Sequence, residues 1–241
     1  MNPKQRIQER REQQRKKKRV TYILVALGAA LVLSAVFLLL SNANQVDLAE
    51  GEIIRVPVQQ PPLADGSSMG DPDAPVTIIN YSDFGCPHCA NFALSTGKQL
   101  AEEFVAAGEV HFEFRSVGAL LGVPATVQAA EAAYCAADQN AFFPYHDLIF
   151  ANQAKLFVVR DADISPTLVT FAEILELDAD AFSRCLDSGK YSKRVSLDEA
   201  AARQAGVTGT PTFIVNGQVL SGNQPIENFR QVIEAELAAA E

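Results

Sequence analysis

The feature that most constrains the fold is the stretch between residues 76 and 117. "VTIINY" (76–81) is a short β-branched run behind a proline turn and reads as a buried strand. The pattern then changes: from Pro87, "PHCANFALSTGKQLAEEFVAAG" spaces its apolar residues as a helix does and stops at Gly108. "VHFEFRSV" (110–117) alternates as a second strand. Strand, helix and strand in so short a span point to an α/β layer architecture. Cys86 and Cys89 sit where the first strand hands over to the helix.

Residues 118 to about 206 lose strand character and become Ala-rich with helical periodicity, broken at Pro124, Pro144, "ISP" (164–166) and "DSGK" (187–190). This predicts a helical insertion of several short helices. "TFIVNG" and "QVLSG" (212–222) restore strand character and meet at Asn216-Gly217, the dipeptide suited to a type I′ hairpin. A last amphipathic helix runs from Pro225, with Ile226, Phe229, Val232, Ile233 and Leu237 on a core-facing stripe.

The N-terminal part is of another kind. Residues 1–41 carry nine Lys/Arg and two Asp/Glu; the rest carry eleven and twenty-seven, so a +7 segment precedes a −16 body. An acidic body argues against nucleic acid as a partner, because phosphate binding needs clustered Lys/Arg. "VTYILVALGAALVLSAVFLLL" (20–40) is uncharged and as a helix reaches about 31 Å, one hydrocarbon core. "RKKKR" (15–19) abuts its start, so the positive-inside rule puts the tail in the cytoplasm and the rest outside. A cleaved signal peptide competes through the small residues "SNA" at 41–43, but the apolar run exceeds the roughly 7–15 residues of a signal peptide, which favours a retained anchor. The expected organisation is a basic cytoplasmic tail at 1–19, a transmembrane anchor at 20–40, an extracytoplasmic linker at 41–75 and a globular domain at 76–241. Within the linker, "EIIRVPV" (52–58) alternates enough for an edge strand.

Three chemistries compete for Cys86-Pro87-His88-Cys89. Structural zinc needs a second ligand pair, and Cys135 and Cys185 each stand alone in sequence. Covalent haem needs His directly after the second cysteine, where Ala90 stands. A redox dithiol fits best. At a helix start, unsatisfied amides stabilise the Cys86 thiolate; Pro87 costs nothing at the first helical position; and His88 adds a positive charge or a donor. Cys89, one turn in, is the resolving thiol. Each pKa unit removed from Cys86 stabilises the dithiol form by about 1.4 kcal/mol, about 30 mV for two electrons, so a low pKa makes the disulfide an oxidant. No metal and no cofactor is called for. His111 and His146 lack a second ligand and read as packing residues.

Outside the cytoplasm the two leftover cysteines, Cys135 and Cys185, are expected to pair as a structural disulfide. In "GVTGTPTF" (206–213), Thr210-Pro211 precedes a strand and suits a tight turn, in cis or in trans.

The CPHC junction, "YHDLIF" (145–150), "FSRCLDSGKY" (182–191) and "GVTGTPTFIVNG" (206–217) together resemble the DsbA-like thiol:disulfide oxidoreductases, in the membrane-anchored branch, over about residues 70–240. The resemblance implies a thioredoxin-like fold with a helical insertion at about 118–206, and an enzyme that donates a Cys86–Cys89 disulfide to exported, unfolded or reduced proteins. It implies Cys86 as nucleophile and Cys89 as resolving cysteine. Pro211 matches a cis-proline facing the disulfide, and Thr210 a residue whose backbone pairs with substrate by strand addition. Reoxidation would come from a quinone-linked membrane partner of the DsbB or vitamin K epoxide reductase type. Relatives commonly carry Glu six residues before the first cysteine, as a relay for the resolving thiol's proton; here Asn80 stands there and cannot titrate. Asp83 is the other candidate relay, though as a loop residue it reads first as solvated or helix-capping. The alternatives left open are a disulfide isomerase or reductase, and a binding module or holdase without turnover.

Overall fold

The computed structural model describes residues 22, 24, 27–38, 45–118 and 123–240. The chain divides into two compact units, Met1–Gln45 and Val46–Glu241. In the first, residues 27–38 are helical and expose apolar side chains such as Leu31 and Leu33. The expected tail at 1–19 and both ends of the expected span at 20–40 lie outside the described residues. Among the described residues no helix is long and apolar enough to cross a membrane.

The second unit is built on a five-stranded sheet of order β1-β3-β2-β4-β5. Its strands are β1 (Ser68–Met69), β2 (Val76–Ser82), β3 (Val110–Ser116), β4 (Thr212–Val215) and β5 (Gln218–Ser221). β2 and β3 are parallel, from Val76 opposite Val110 to Ser82 opposite Ser116; the other pairs are antiparallel. The crossover from β2 to β3 is helix α1, built from Pro87–Asn91, a π turn Phe92–Thr96, Gly97–Leu100 and a second π turn Ala101–Val105. The chain leaves it at Gly108 with φ 75°, a left-handed exit that glycine takes without steric cost. The β4–β5 hairpin turns on Asn216 and Gly217, both at positive φ, as a type I′ turn requires.

Between β3 and β4 lie α2 (Ala125–Ala137), α3 (Phe142–Ala151), α4 (Gln153–Leu156), α5 (Ser165–Ile174), α6 (Ala179–Asp187) and α7 (Ser192–Gln204); α8 (Ile226–Ala240) closes the chain. Aromatic rings hold the layers together. Phe92 of α1 lies 4.5 Å from Phe213 of β4 and 5.6 Å from Phe229 of α8, ring centre to ring centre. Phe84, in the loop two residues past β2, packs on Phe114 of β3 at 5.4 Å and on Phe150 of α3 at 4.9 Å. A polar network ties the insertion to the sheet: the Tyr134 hydroxyl donates to Asp198 at 2.5 Å, and Arg194 bonds Asp198 at 3.0 Å and Glu113 of β3 at 3.2 Å.

Two expectations are corrected. The linker does not extend to residue 75, because the chain joins the domain at Val46. There Val46 N–H donates to Asp163 O at 2.9 Å, and Leu48 N–H to the Thr167 hydroxyl at 2.9 Å. Nor is 52–58 an edge strand. Glu50–Glu52 is a 3-10 turn, Pro57 has no N–H to give a ladder, and both main-chain groups of Ile54 are taken by the Asn152 side chain, at 2.8 and 2.9 Å. The edge next to β3 is β1 instead. It leaves at Gly70, φ 89°, where a Cβ would lie 2.3 Å from Val110 O, so no other residue fits.

Candidate functional site

Cys86 is the N-cap of α1 and Pro87 its first residue, the position where a missing N–H is harmless. The Cys86 thiol is buried and donates to Thr210 O at 3.3 Å. Its pKa falls from an ordinary value near 9 to about 5. The Cys89 thiol, donating to the Cys86 thiolate, is the largest cause; burial works against it; the Thr210 hydroxyl and the main-chain N–H groups of Cys89 and His88 lower it further. The Thr210 hydroxyl is buried and has no partner among the described residues, which leaves it as a donor once the thiol ionises. His88 is exposed, and its main-chain N–H is among the groups that lower the Cys86 thiol. Cys89 is pushed the other way, by burial first and then by its neighbour, with the Asp83 amide and the Ser82 hydroxyl opposing. Both cysteines are free thiols.

Thr210-Pro211 is a cis peptide. It borders a cleft of about 200 Å³, lined by residues 205–212 with Val219 and Ser221 of β5. Asp83 is neither solvated nor a cap of α1. Its side chain is fully buried: Oδ1 accepts the Gly85 N–H at 2.6 Å, and Oδ2 has no partner among the described residues. Burial raises its pKa to about 7, with the Gly85 amide opposing and the Cys86 thiolate adding. Gly85 leaves room for both neighbours, since a Cβ there would stand 2.8 Å from Thr126 Cγ2 and 3.1 Å from the Asp83 carboxylate and would have to displace them. Asn80 is buried on β2 between Phe114 and Phe213, its Oδ1 unpartnered, beside a cavity of about 420 Å³ that Phe92, Phe112, Lys98, His146 and Asp147 also line. His146 and Asp147 bond at 3.0 Å, and Lys98 pairs with Asp147. His111 Nδ1 lies 3.4 Å from Gly70 O.

Away from this centre, Cys135 of α2 and Cys185 of α6 form a disulfide with Cα atoms 5.9 Å apart. One residue at the centre had no signal in the sequence. Gln153, at the start of α4, donates from Nε2 to Phe84 O at 2.6 Å and to Cys86 O at 2.9 Å. It lies 67 residues beyond Cys86 and three beyond the "YHDLIF" run.

The thioredoxin family profile matches residues 64–235. Over 171 residues the chain is 36% identical to the Na(+)/H(+) antiporter NhaA 3 of Salinispora tropica, which takes in 71% of this chain but only 24% of the antiporter's length. It is 29% identical over 175 residues to a Bacillus cereus protein named "Probable disulfide bond formation protein D", covering 70% of this chain and 78% of that one. The crystal structure of Wolbachia pipientis alpha-DsbA1 superposes with a TM-score of 0.63 at 24% identity, over 74% of this chain and 94% of that one. The strand–helix–strand unit, the inserted helices and the closing hairpin and helix are thus a thioredoxin-like α/β fold shared with alpha-DsbA1, and the chain belongs to the thioredoxin family.

Proposed function

We propose that this protein is an extracytoplasmic thiol:disulfide oxidase that donates a Cys86–Cys89 disulfide to exported proteins. The observation that carries the reading is the placement of the two thiols, Cys86 at the N-cap of α1 with its sulfur 3.3 Å from Thr210 O of the cis Thr210-Pro211 turn and Cys89 buried one turn in, a setting that lowers the Cys86 pKa and raises that of Cys89. With the Cys86 thiolate favoured from about pH 5 upward, the dithiol gains on the order of 3 kcal/mol at pH 7, which makes the disulfide more oxidising by some tens of millivolts.

In the proposed cycle a substrate thiolate attacks Cys86 Sγ, and the Cys86–Cys89 bond breaks. Cys89 leaves as a thiolate and takes a proton, for which the neutral Asp83 carboxyl is the nearest buried acid in the loop. A second substrate thiolate attacks the substrate sulfur, forming the substrate disulfide and expelling Cys86 as a stable thiolate. Two electrons have passed to the enzyme, and a quinone-linked membrane partner of the DsbB or vitamin K epoxide reductase type removes them. Strand addition at Thr210 and the cleft beside Pro211 would hold the substrate. The uncharged run at 20–40 behind "RKKKR" supports a single-pass anchor with the domain outside, and the Cys135–Cys185 disulfide suits an oxidising compartment. Tethering would raise the effective concentration at a membrane partner.

The test is the reduction potential of the chain together with oxidation of a reduced test protein. The expected result is a potential well above that of thioredoxin, about −270 mV, with turnover lost in Cys86→Ala. A thioredoxin-like potential, or activity that survives Cys86→Ala, overturns the reading. Protease access in spheroplasts tests the topology, and a protected domain refutes it.

A further inference from the structure

The loop from the end of β2 to the start of α1 turns at Phe84 and Gly85. The two carbonyls flanking Gly85, Phe84 O and Cys86 O, are both held by one nitrogen, Gln153 Nε2, at 2.6 and 2.9 Å. Cys86 O also accepts the first helical amides, from Cys89 and Ala90, each at 3.1 Å. The direction of that carbonyl therefore fixes the first turn of α1, and with it the Cys89 and His88 N–H groups that face the Cys86 thiolate. Gln153 is itself braced from behind. The preceding residue, Asn152, is buried and clasps Ile54 through its N–H and C=O, and Lys155 Nζ bonds Glu52 O. The segment that joins the domain at Val46 thus supports the residue that tethers the cysteine loop.

We infer that Gln153 is a positioning residue for the redox pair, pinning the Phe84 and Cys86 carbonyls so that the Cys86 sulfur stays among its donors. Gln153 touches no reacting atom. Its amide is the suited group because both partners are acceptors and one NH₂ supplies two donors. Glu has the same shape, yet when ionised it offers only acceptors and brings negative charge to two carbonyl oxygens. Met keeps the length and offers neither donor nor charge. The inference rests on the reading of Cys86 as the nucleophile.

The experiment is a pH titration of the Cys86 thiolate, followed by its ultraviolet absorbance, in the full chain carrying Gln153, Gln153→Met or Gln153→Glu. Circular dichroism on the same samples checks that each is folded. The expected result is a graded rise in the Cys86 pKa, by about half a unit for Met and about one unit for Glu, with a parallel loss in the rate of oxidation of a reduced peptide. Should Gln153→Glu fail to fold, Gln153→Met decides. Midpoints that coincide with the parent's overturn the inference. A parent midpoint near the ordinary thiol value of about 8.5 would instead sink the oxidase reading, while a displacement of the variants from it would still support Gln153's role.

Discussion

Replacing Asp83 by Asn tests whether the buried carboxyl governs both stability and proton traffic. The folded protein holds this acid at about 7, against an ordinary 3.8. Because the folded-state pKa is raised, the stabilising effect of the bound proton is fully present below pH 3.8 and is lost as pH rises through about 7. Above that, the folded protein carries a buried carboxylate with one oxygen unpartnered. A shift of about three units corresponds to about 4 kcal/mol, so Asp83→Asn is expected to be neutral near pH 3.5 and stabilising by up to about 4 kcal/mol at pH 8. The Asn carbonyl keeps the Gly85 N–H acceptor, so the loop geometry survives the change.

The Cys86 thiolate contributes to the raised value, so the gain is larger with the redox pair reduced than with it oxidised. Urea unfolding at several pH values in both redox states measures this directly. Turnover should move the other way: oxidation of a reduced protein slows, and the inflection near pH 7 in its rate profile disappears. A variant destabilised equally across the pH range, or one with an unchanged rate profile, would refute the assignment of Asp83 as a buried acid serving Cys89.

Replacing Cys135 and Cys185 together by Ser opens a loop with a sequence separation of 50 and should cost about 4 kcal/mol in loop-closure entropy, read by thermal unfolding, with the Cys86 pKa unmoved. Lys98→Met strips a half-exposed cation from the buried Asp147 and should cost about 2 kcal/mol; it should also raise the His146 pKa, since Lys98 now opposes His146 ionisation, as NMR titration would detect. Raising salt from low to physiological strength should leave the Cys86 thiolate titration almost unchanged, because its donors are hydrogen-bonded neighbours rather than distant charges.

What the sequence made legible was local. β2, α1 and β3 follow from a change of hydrophobic period within a few residues, and the β4–β5 turn from Asn216-Gly217. The depth of Asp83 was not legible, because the loop that carries it is packed by residues far along the chain: Thr126 lies against Gly85, while Phe114 and Phe150 pack on Phe84. Loop composition predicted solvent, and tertiary contacts overrode it. Gln153 was invisible for the same reason, since its two acceptors are main-chain carbonyls that any residue could supply. The segment from Val46 to Ile54 looked like linker because its stabilising bonds go to the side chains of Thr167 and Asn152 and not to a neighbouring strand.

The lowered pKa of the Cys86 thiol is set within a few ångströms, against the sign of the chain's net charge. Residues 42–241 carry a net −16, and Asp83 lies on the same loop as Cys86; both disfavour a thiolate. Exposed charges beyond about 8–10 Å are largely screened at physiological salt, whereas a hydrogen bond to an ionised group contributes about 1.5–3 kcal/mol. Cys86 has four such donors: the Cys89 thiol, the Thr210 hydroxyl and the amides of Cys89 and His88. Asp83 escapes the conflict by staying protonated up to about pH 7, so at neutral pH and below it lends a proton to the loop instead of a charge. A strongly acidic domain can thus hold a low-pKa cysteine, provided that the loop carrying it is kept in register by groups such as Gln153 that are themselves neutral.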